Sequence, residues 1–138
     1  MLEPVQPHNL RDVWEFVRAG LVKTIAKTKD DWLPEDVYME LKSGVSHLYM
    51  IYENDENDAE LIGFVIFQRW DKYHAGPRLF VRALWAKPGK LRPVHDAFYA
   101  EMDDLSLKAG ARVQRMASPR RWYADGWTLK QYIYERTI

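Results

Sequence analysis

The segment from Leu79 to Pro93 joins an apolar stretch to a Pro88-Gly89 turn that carries three cations, and these residue types suit anion binding. The cations are Lys87, Lys90 and Arg92. Pro93 fits the first position of a helix, where its missing N–H costs nothing. A strand–turn–helix junction directs free backbone N–H groups and the positive end of the helix dipole at one spot. The sequence therefore predicts a site for a phosphate or another anion at this turn.

Charge is unevenly spread along the chain, although Lys and Arg together equal Asp and Glu at 20 each. Residues 1–77 hold 8 Lys/Arg against 14 Asp/Glu, a net charge of −6, whereas residues 78–138 hold 12 against 6, a net charge of +6. A basic half favours an anionic ligand such as a nucleotide cofactor. Equally, the two halves can neutralise each other across one sheet, and the charge pattern alone leaves both interpretations open.

Length and composition limit the class of protein. A chain of 138 residues without cysteine is expected to form one domain, residues 1–138, whose core needs no disulfides or thiolate metal sites. No stretch reaches membrane-spanning length, and the start lacks the pattern of a signal peptide. We therefore expect a cytoplasmic protein without membrane contact.

The first part of the chain predicts an edge strand followed by two helices. Residues 2–6 form a short strand whose prolines limit its pairing. Apolar side chains recur at helical spacing, so residues 10–28 form a helix with Asn9 as its N-cap. A second helix covers residues 34–43, because Pro34 opens it and Gly44 stops it.

Strands dominate the remainder, with one further helix and a helical turn. Strands are predicted at residues 46–53, 60–70 and 78–87, and the middle one is apolar at both parities, which requires helices on both faces of the sheet. A helix at 93–109 follows, then a strand at 111–117, a helical turn at 119–124 and a final strand at 127–137. The predicted fold is α/β (α+β), with a mixed, mostly antiparallel sheet and the order β-α-α-β-β-β-α-β-α-β.

Five segments, taken in order along the chain, carry a family resemblance. Two are Glu3 to Trp14, at the first strand and helix, and Lys108-Ala109-Gly110-Ala111, at a helix end. The other three are Glu60-Leu61-Ile62-Gly63-Phe64-Val65, Leu84-Trp85-Ala86-Lys87-Pro88-Gly89 and Tyr123-Ala124-Asp125-Gly126-Trp127. With the element order, the five segments resemble the GNAT superfamily of acetyl-CoA-dependent N-acetyltransferases over nearly the whole chain. Of the last three, the first is similar to a central strand of that family, the second to the strand end that splays from its neighbour and admits the pantetheine arm, and the third to the aromatic element before the last strand.

The resemblance implies an acetyl-CoA site along the splayed strand and the turn after it. The implied cofactor-binding residues are Leu84, Trp85, Ala86, Lys87, Gly89, Lys90, Leu91 and Arg92. Backbone N–H groups near Leu84 to Ala86 would donate to the tetrahedral oxyanion, and Tyr123 would protonate the leaving thiolate. Three residues are candidates for the general base, acting through water: Glu60, Asp71 and Tyr73.

One motif of the family is missing. Typical members carry an Arg/Gln-x-x-Gly-x-Gly/Ala loop, whose small residues let the backbone wrap the pyrophosphate. Here residues 88–97 hold a single glycine, and Pro93 removes an N–H donor. Either side-chain charge from Lys87, Lys90 and Arg92 replaces those contacts, or the turn is a basic, solvated surface on a fold that binds no cofactor.

Two functions therefore stay open. The first is an N-acetyltransferase that acts on an amine of a small molecule or a protein. The alternative is a catalytically inactive GNAT-like module that binds a protein partner, such as a bacteriophage virion or accessory protein; a homodimer is also open. The four histidines share no metal-ligand spacing, so no metal site is expected. A nucleic-acid partner is not expected either, because the basic and aromatic residues near the C-terminal end are split between a strand and a turn.

Overall fold

A computed structural model provides the fold and describes residues 1–53, 58–71, 74, 76–118, 126–129 and 136–137. Within this part of the chain the helices are α1 (Leu10–Thr28), α2 (Pro34–Ser43) and α3 (His95–Lys108). The strands are β1 (Leu2–Val5), β2 (His47–Tyr52), β3 (Leu61–Trp70), β4 (Arg78–Ala86) and β5 (Val113–Met116). Short 3-10 turns, Pro7–Asn9 and Arg92–Val94, lead into α1 and α3.

The five strands form one sheet in which spatial order follows chain order. Neighbouring strands from β1 to β4 run antiparallel, and β5 pairs with β4 in parallel after the crossover through α3. The mixed, mostly antiparallel sheet predicted from the sequence is confirmed. The last predicted turn and most of the last predicted strand fall outside the described residues.

β3 is the buried centre of the sheet, flanked by β2 and β4 as the sequence predicts. Phe64 and Val65 are consecutive and point to opposite faces, yet neither side chain is exposed at all. This is possible because helices cover both faces. Burial on both faces thus explains why consecutive residues of this strand are all apolar.

Two apolar clusters fill the space between the helices and the sheet. The α1/α2 cluster lies under the first two helices and includes Val17, Leu21, Val37, Leu41, Met50, Phe64 and Ile66. The α3 cluster lies on the other face and includes Ile51, Ile62, Val65, Phe67, Val81, Phe98 and Met102. Each helix turns one apolar stripe to the sheet, because residues three or four apart share a helix face.

Gly63 lets β3 and β4 approach closely near the end of β4. A Cβ atom added there would overlap the carbonyl oxygen of Trp85 and lie 2.7 Å from the Cα atom of Ala86. Gly20 similarly lets α1 approach the aromatic rings of Phe64 and Trp85. Glycine is required at Gly63 because backbone atoms, unlike side chains, have little freedom to move aside.

Several strands are one or two residues shorter at an end than predicted, and the starts of two helices also differ from the sequence prediction. The helix expected from residue 93 begins at His95, because Pro93 lies inside the 3-10 turn Arg92–Val94. Asn9 does occupy the N-cap position of α1, but its side chain makes no capping hydrogen bond. The preceding 3-10 turn supplies a backbone bond there instead, from the Leu10 N–H to the Pro7 carbonyl.

Candidate active site

The candidate site begins where β4 parts from β5. Their pairing runs from Arg78 opposite Val113 to Val81 opposite Met116, and then stops. β4 itself continues to Ala86, paired on its other side with β3. Among the described residues, no strand pairs with the β5-facing edge of residues 82–86. Within this part of the chain, a stretch of strand backbone is thus without a neighbouring strand.

The direction of the open backbone groups follows from the pairing of β3 with β4. The Lys87 N–H donates to the Ile62 carbonyl at 2.7 Å, so residue 87 faces β3. In an antiparallel pair, alternate residues face opposite neighbours. Leu84 and Ala86 therefore direct their N–H and C=O groups away from β3, into the space that β5 leaves.

A β-bulge lies in β4 at this same place. Ile66 pairs with Ala83 and the next residue, Phe67, pairs with Val81, so Arg82 is the extra residue. The side-chain pattern shows it too, because Val81 packs in the α3 cluster whereas Ala83 packs in the α1/α2 cluster. A bulge bends a strand and increases its twist. β4 thus turns away from β5 immediately after their last pair.

The turn after β4 presents backbone donors. The Lys90 N–H closes the turn on the Lys87 carbonyl at 3.0 Å, and Gly89 takes a φ of +74°, which favours glycine. The N–H groups of Gly89, Leu91 and Arg92 donate to no backbone or side-chain acceptor in the described part of the chain. In that part of the chain these three donors are available to a ligand; the anion site expected at this junction stays a prediction.

Two of the three cations at the turn already have a carboxylate partner. Glu60, which lies just before β3, is 3.2 Å from the Lys90 Nζ atom and 3.9 Å from the Lys87 Nζ atom. The hydrogen bond from Lys90 is the main reason that the pKa of Glu60 lies below its ordinary value, and the positive charges of Lys90 and Lys87 add to it. All three side chains are more than 40% exposed, so water screens the pairs.

Arg92 belongs to a broad surface depression of about 620 Å³ beside the turn. Residues from Arg92 to Ala97 line it, together with Met1. The depression includes the start of α3, where the helix dipole is positive. Its place between the turn and the helix suits a bulky anionic ligand.

The predicted cofactor-binding residues are brought together in this way, from Leu84 on β4 to Arg92 at the start of the depression. The Trp85 side chain points to the opposite face, where it packs against Phe16 and Phe64 and carries the Lys23 ammonium over its ring. Of the candidate bases, Glu60 is at the turn, and Asp71 is paired with Arg69 at 3.0 Å. Tyr73 and Tyr123 lie outside the described residues.

The sequence analysis missed Arg82 and its partner Glu40. Arg82 interrupts an apolar strand, Leu79 to Ala86, and a charged residue in such a run is a signal for an irregular position or a buried partner. The partner could not be read from the sequence, because Glu40 lies 42 residues away on α2.

Within the described residues, no three His, Cys, Asp or Glu side chains cluster in a way that could hold a metal ion. Nor does any helix of this part combine the length and apolar character that crossing a bilayer requires.

Comparison with known proteins gives structural but not sequence matches. No protein-family model matches the sequence, and no curated protein is significantly similar to it. An aminoglycoside acetyltransferase from an uncultured soil metagenomic sample is similar in structure, with a TM-score of 0.66, 12% identity and coverage of 100% of this chain and 97% of its own. A GCN5-related N-acetyltransferase from Ralstonia eutropha has a TM-score of 0.66 and 12% identity, covering 99% of this chain and 97% of its own.

A third similar structure was determined with a ligand. It is a predicted acetyltransferase from Clostridium acetobutylicum with acetyl-CoA, which has a TM-score of 0.57, 8% identity and coverage of 95% of both chains. These likenesses extend over essentially the whole chain. They confirm that it has the fold of the GNAT acetyltransferases, as the sequence motifs predicted.

Proposed function

We propose that this protein is an N-acetyltransferase that transfers an acetyl group from acetyl-CoA to an amine of a small molecule or a protein. The observation that carries the proposal is the open edge of β4 beyond Val81, which leads directly to a turn with free N–H groups and cations. Acetyl-CoA needs this combination, because its long, narrow pantetheine arm can lie along the strand edge while its phosphates meet the donors and cations of the turn. The shared fold with acetyltransferases supports the same function.

Residues of the chain divide the binding task between the strand and the turn. Leu84 and Ala86 hold the pantetheine arm through their open backbone groups, in the manner of a missing strand. The N–H groups of Gly89, Leu91 and Arg92, with the cationic side chains around them, hold the pyrophosphate. Lys87 and Lys90 exchange their contact with Glu60 for the phosphates, because exposed ion pairs are weak.

The acetyl group arrives as a thioester, so the transfer forms an N–C bond to the amine and breaks the C–S bond. The Leu84 or Ala86 N–H stabilises the oxyanion that forms on the way. Tyr123 returns a proton to the thiolate, a role that rests on the family resemblance. The ion pairs of Glu60 lower its pKa, which makes it a weaker base than an unpaired glutamate.

The inactive-module alternative predicts a closed sheet, in which β4 and β5 stay paired or aromatic side chains fill the gap. Instead, the pairing ends before Arg82, and the Trp85 ring lies against α1 on one face of the sheet. These observations do not favour the alternative.

A calorimetric titration of the full chain with acetyl-CoA tests the proposal. We expect saturable binding with a dissociation constant in the micromolar range, about −8 kcal/mol. Release of free thiol in the presence of a panel of amines then tests the transfer itself. Absence of binding to acetyl-CoA would overturn the proposal.

A proline substitution locates the ligand on β4. Ala86→Pro removes the N–H that faces the gap and spares the ladder bonds to β3, so the strand should still form. We expect weaker binding of acetyl-CoA with an unchanged unfolding midpoint. The same affinity in Ala86→Pro and the unchanged chain would show that the ligand does not use this edge.

A further inference from the structure

The bulge at Arg82 is held by a network of side chains from four separate parts of the chain. The Arg82 guanidinium donates to the Glu40 carboxylate through Nε at 3.3 Å and Nη2 at 3.5 Å. It also lies over the ring of Trp32, in the connection between α1 and α2, with 4.6 Å from the guanidinium carbon to the ring centre. The bulge residue is thus fixed to α2 and to the α1–α2 connection.

Glu40 is in turn fixed by neutral donors. The Ser46 hydroxyl donates to its Oε2 atom at 3.0 Å, and the Gln68 amide donates to the same atom at 3.4 Å. Gln68 also accepts a hydrogen bond from the Trp70 indole N–H. Since Ser46 precedes β2 and Gln68 lies on β3, these bonds fix the carboxylate relative to two strands independently of Arg82.

This ion pair is not explained by stability alone. The Arg82 and Glu40 side chains are only 17% and 25% exposed, and removing charges from water costs much of what their attraction returns. Such pairs are best attested where they select one arrangement over a competing one. Here the competing arrangement is a β4 without a bulge, in which residues 82–86 would keep the direction of the stretch from Arg78 to Val81 that pairs with β5.

We infer that Glu40 and Arg82 are positioning residues that fix the bulge at residue 82 and so keep the edge of residues 82–86 open. The catalytic consequence rests on the proposed function: without the network, β4 would close the gap that the pantetheine arm needs. The effect on strand pairing does not depend on that function. Neither residue needs to touch the ligand.

The experiment compares an apolar replacement of the pair with a control on the same helix. In Glu40→Met/Arg82→Met both charges are removed together, so no unpaired charge remains inside and the chain should fold. Glu35→Gln is the control, because Glu35 also lies on α2 and pairs with Arg18 at 3.1 Å, but with both side chains more than half exposed.

Hydrogen exchange of the Leu84 and Ala86 amides reports on the gap in the absence of any ligand. We expect exchange in the double variant to slow by about tenfold or more as these amides gain partners, and to stay unchanged in Glu35→Gln. Unchanged exchange in the double variant would overturn the inference. This result stands even if the chain fails to bind acetyl-CoA, so failure of the proposed function is recognised separately.

Two ligands then distinguish positioning from general damage. The double variant should bind acetyl-CoA about tenfold more weakly and should bind the adenosine bisphosphate portion of coenzyme A within about twofold of normal, since that portion needs only the turn. Equal loss for both ligands, or for neither, would contradict the inference. The single variant Arg82→Lys, in which Glu40 is unchanged, should keep part of the acetyl-CoA affinity that the double variant loses, because a cation still reaches that carboxylate.

Discussion

Two regions can be compared: the turn that follows β4 and the bulge in β4. In each of them, a carboxylate from the acidic first half of the chain pairs with a cation from the basic second half. At the turn, Glu60 meets Lys87 and Lys90, and these side chains are 42–44% exposed. At the bulge, Glu40 meets Arg82 in a half-buried network with further donors. Under the proposed function, the same charge types therefore serve two purposes. An exposed ion pair is weak enough for its cation to leave the carboxylate and contact a ligand. A half-buried ion pair whose carboxylate accepts further hydrogen bonds instead helps to hold the fold.

The comparison also bears on the two interpretations of the charge pattern. Neutralisation between the halves is real at both places. At the turn, however, it coexists with free backbone donors and with Arg92, which has no carboxylate within ion-pair distance among the described residues. The cations of the turn can therefore pair with Glu60 when no ligand is present and with an anion when one is bound.

The largest expected effect is on binding at the turn. Lys90→Ala/Arg92→Ala should weaken acetyl-CoA binding by about 1–3 kcal/mol for each charged hydrogen bond lost. Titration calorimetry at low salt measures this, with Arg11→Ala/Lys27→Ala on α1 as a control of equal charge change. If the double variant at the turn keeps its affinity, these cations do not contact the phosphates.

The next largest effect is expected where β3 packs closely against β4, between the bulge and the turn. Gly63→Ala should destabilise the fold by about 1–3 kcal/mol, because the new Cβ atom meets the backbone of Trp85 and Ala86. Urea denaturation measures the loss, and Ala59→Ser, at an exposed site, is the control. A fully stable Gly63→Ala variant would show that β4 can move away from β3 at little cost.

A smaller effect separates the two types of carboxylate on α2. Glu40→Gln should lower the free energy of unfolding by about 1–2 kcal/mol, less than for a fully buried pair, since it leaves the half-buried Arg82 without a counter-ion. Glu35→Gln should leave the unfolding midpoint nearly unchanged because its pair with Arg18 is exposed. Equal effects of the two variants would remove the distinction drawn between exposed and half-buried pairs.

The smallest effect has the opposite sign. Glu60→Gln should tighten acetyl-CoA binding by about threefold, because Lys87 and Lys90 no longer have a competing carboxylate. Glu3→Gln, on β1, removes the same charge away from the turn and should leave the affinity as it is. Weaker binding in Glu60→Gln would mean that Glu60 supports the ligand rather than competing with it.

The pH dependence of stability gives a further test of Glu60. Because the folded pKa of Glu60 is lowered from 4.5, its pairs contribute stability above that pH and lose it as the pH falls through the lowered value. The difference in unfolding midpoint between Glu60→Gln and the unchanged chain should therefore shrink below about pH 4.5. A difference that persists in strong acid would need a cause other than ionisation.

The sequence by itself determined most of the elements and the chemistry of the turn. α1 matches its predicted range because apolar spacing is a local property. β3 was recognisable as the central strand because its odd- and even-numbered residues are both apolar, and such a strand must be buried on both faces of the sheet. The cations at the turn were likewise visible as residue types, and the gap beside β4 followed from a family resemblance carried by short motifs.

What only the tertiary structure decided depends on residues that are distant in sequence. The position of the bulge depends on the register between β3 and β4 and on Glu40 in another layer, so the sequence could mark Arg82 as unusual in an apolar run but could not identify its partner. Glu60 could be suggested as a base, but not recognised as the partner of Lys90. Local sequence specifies which backbone conformations a segment favours, whereas strand register and ion pairing are settled when separate segments pack together.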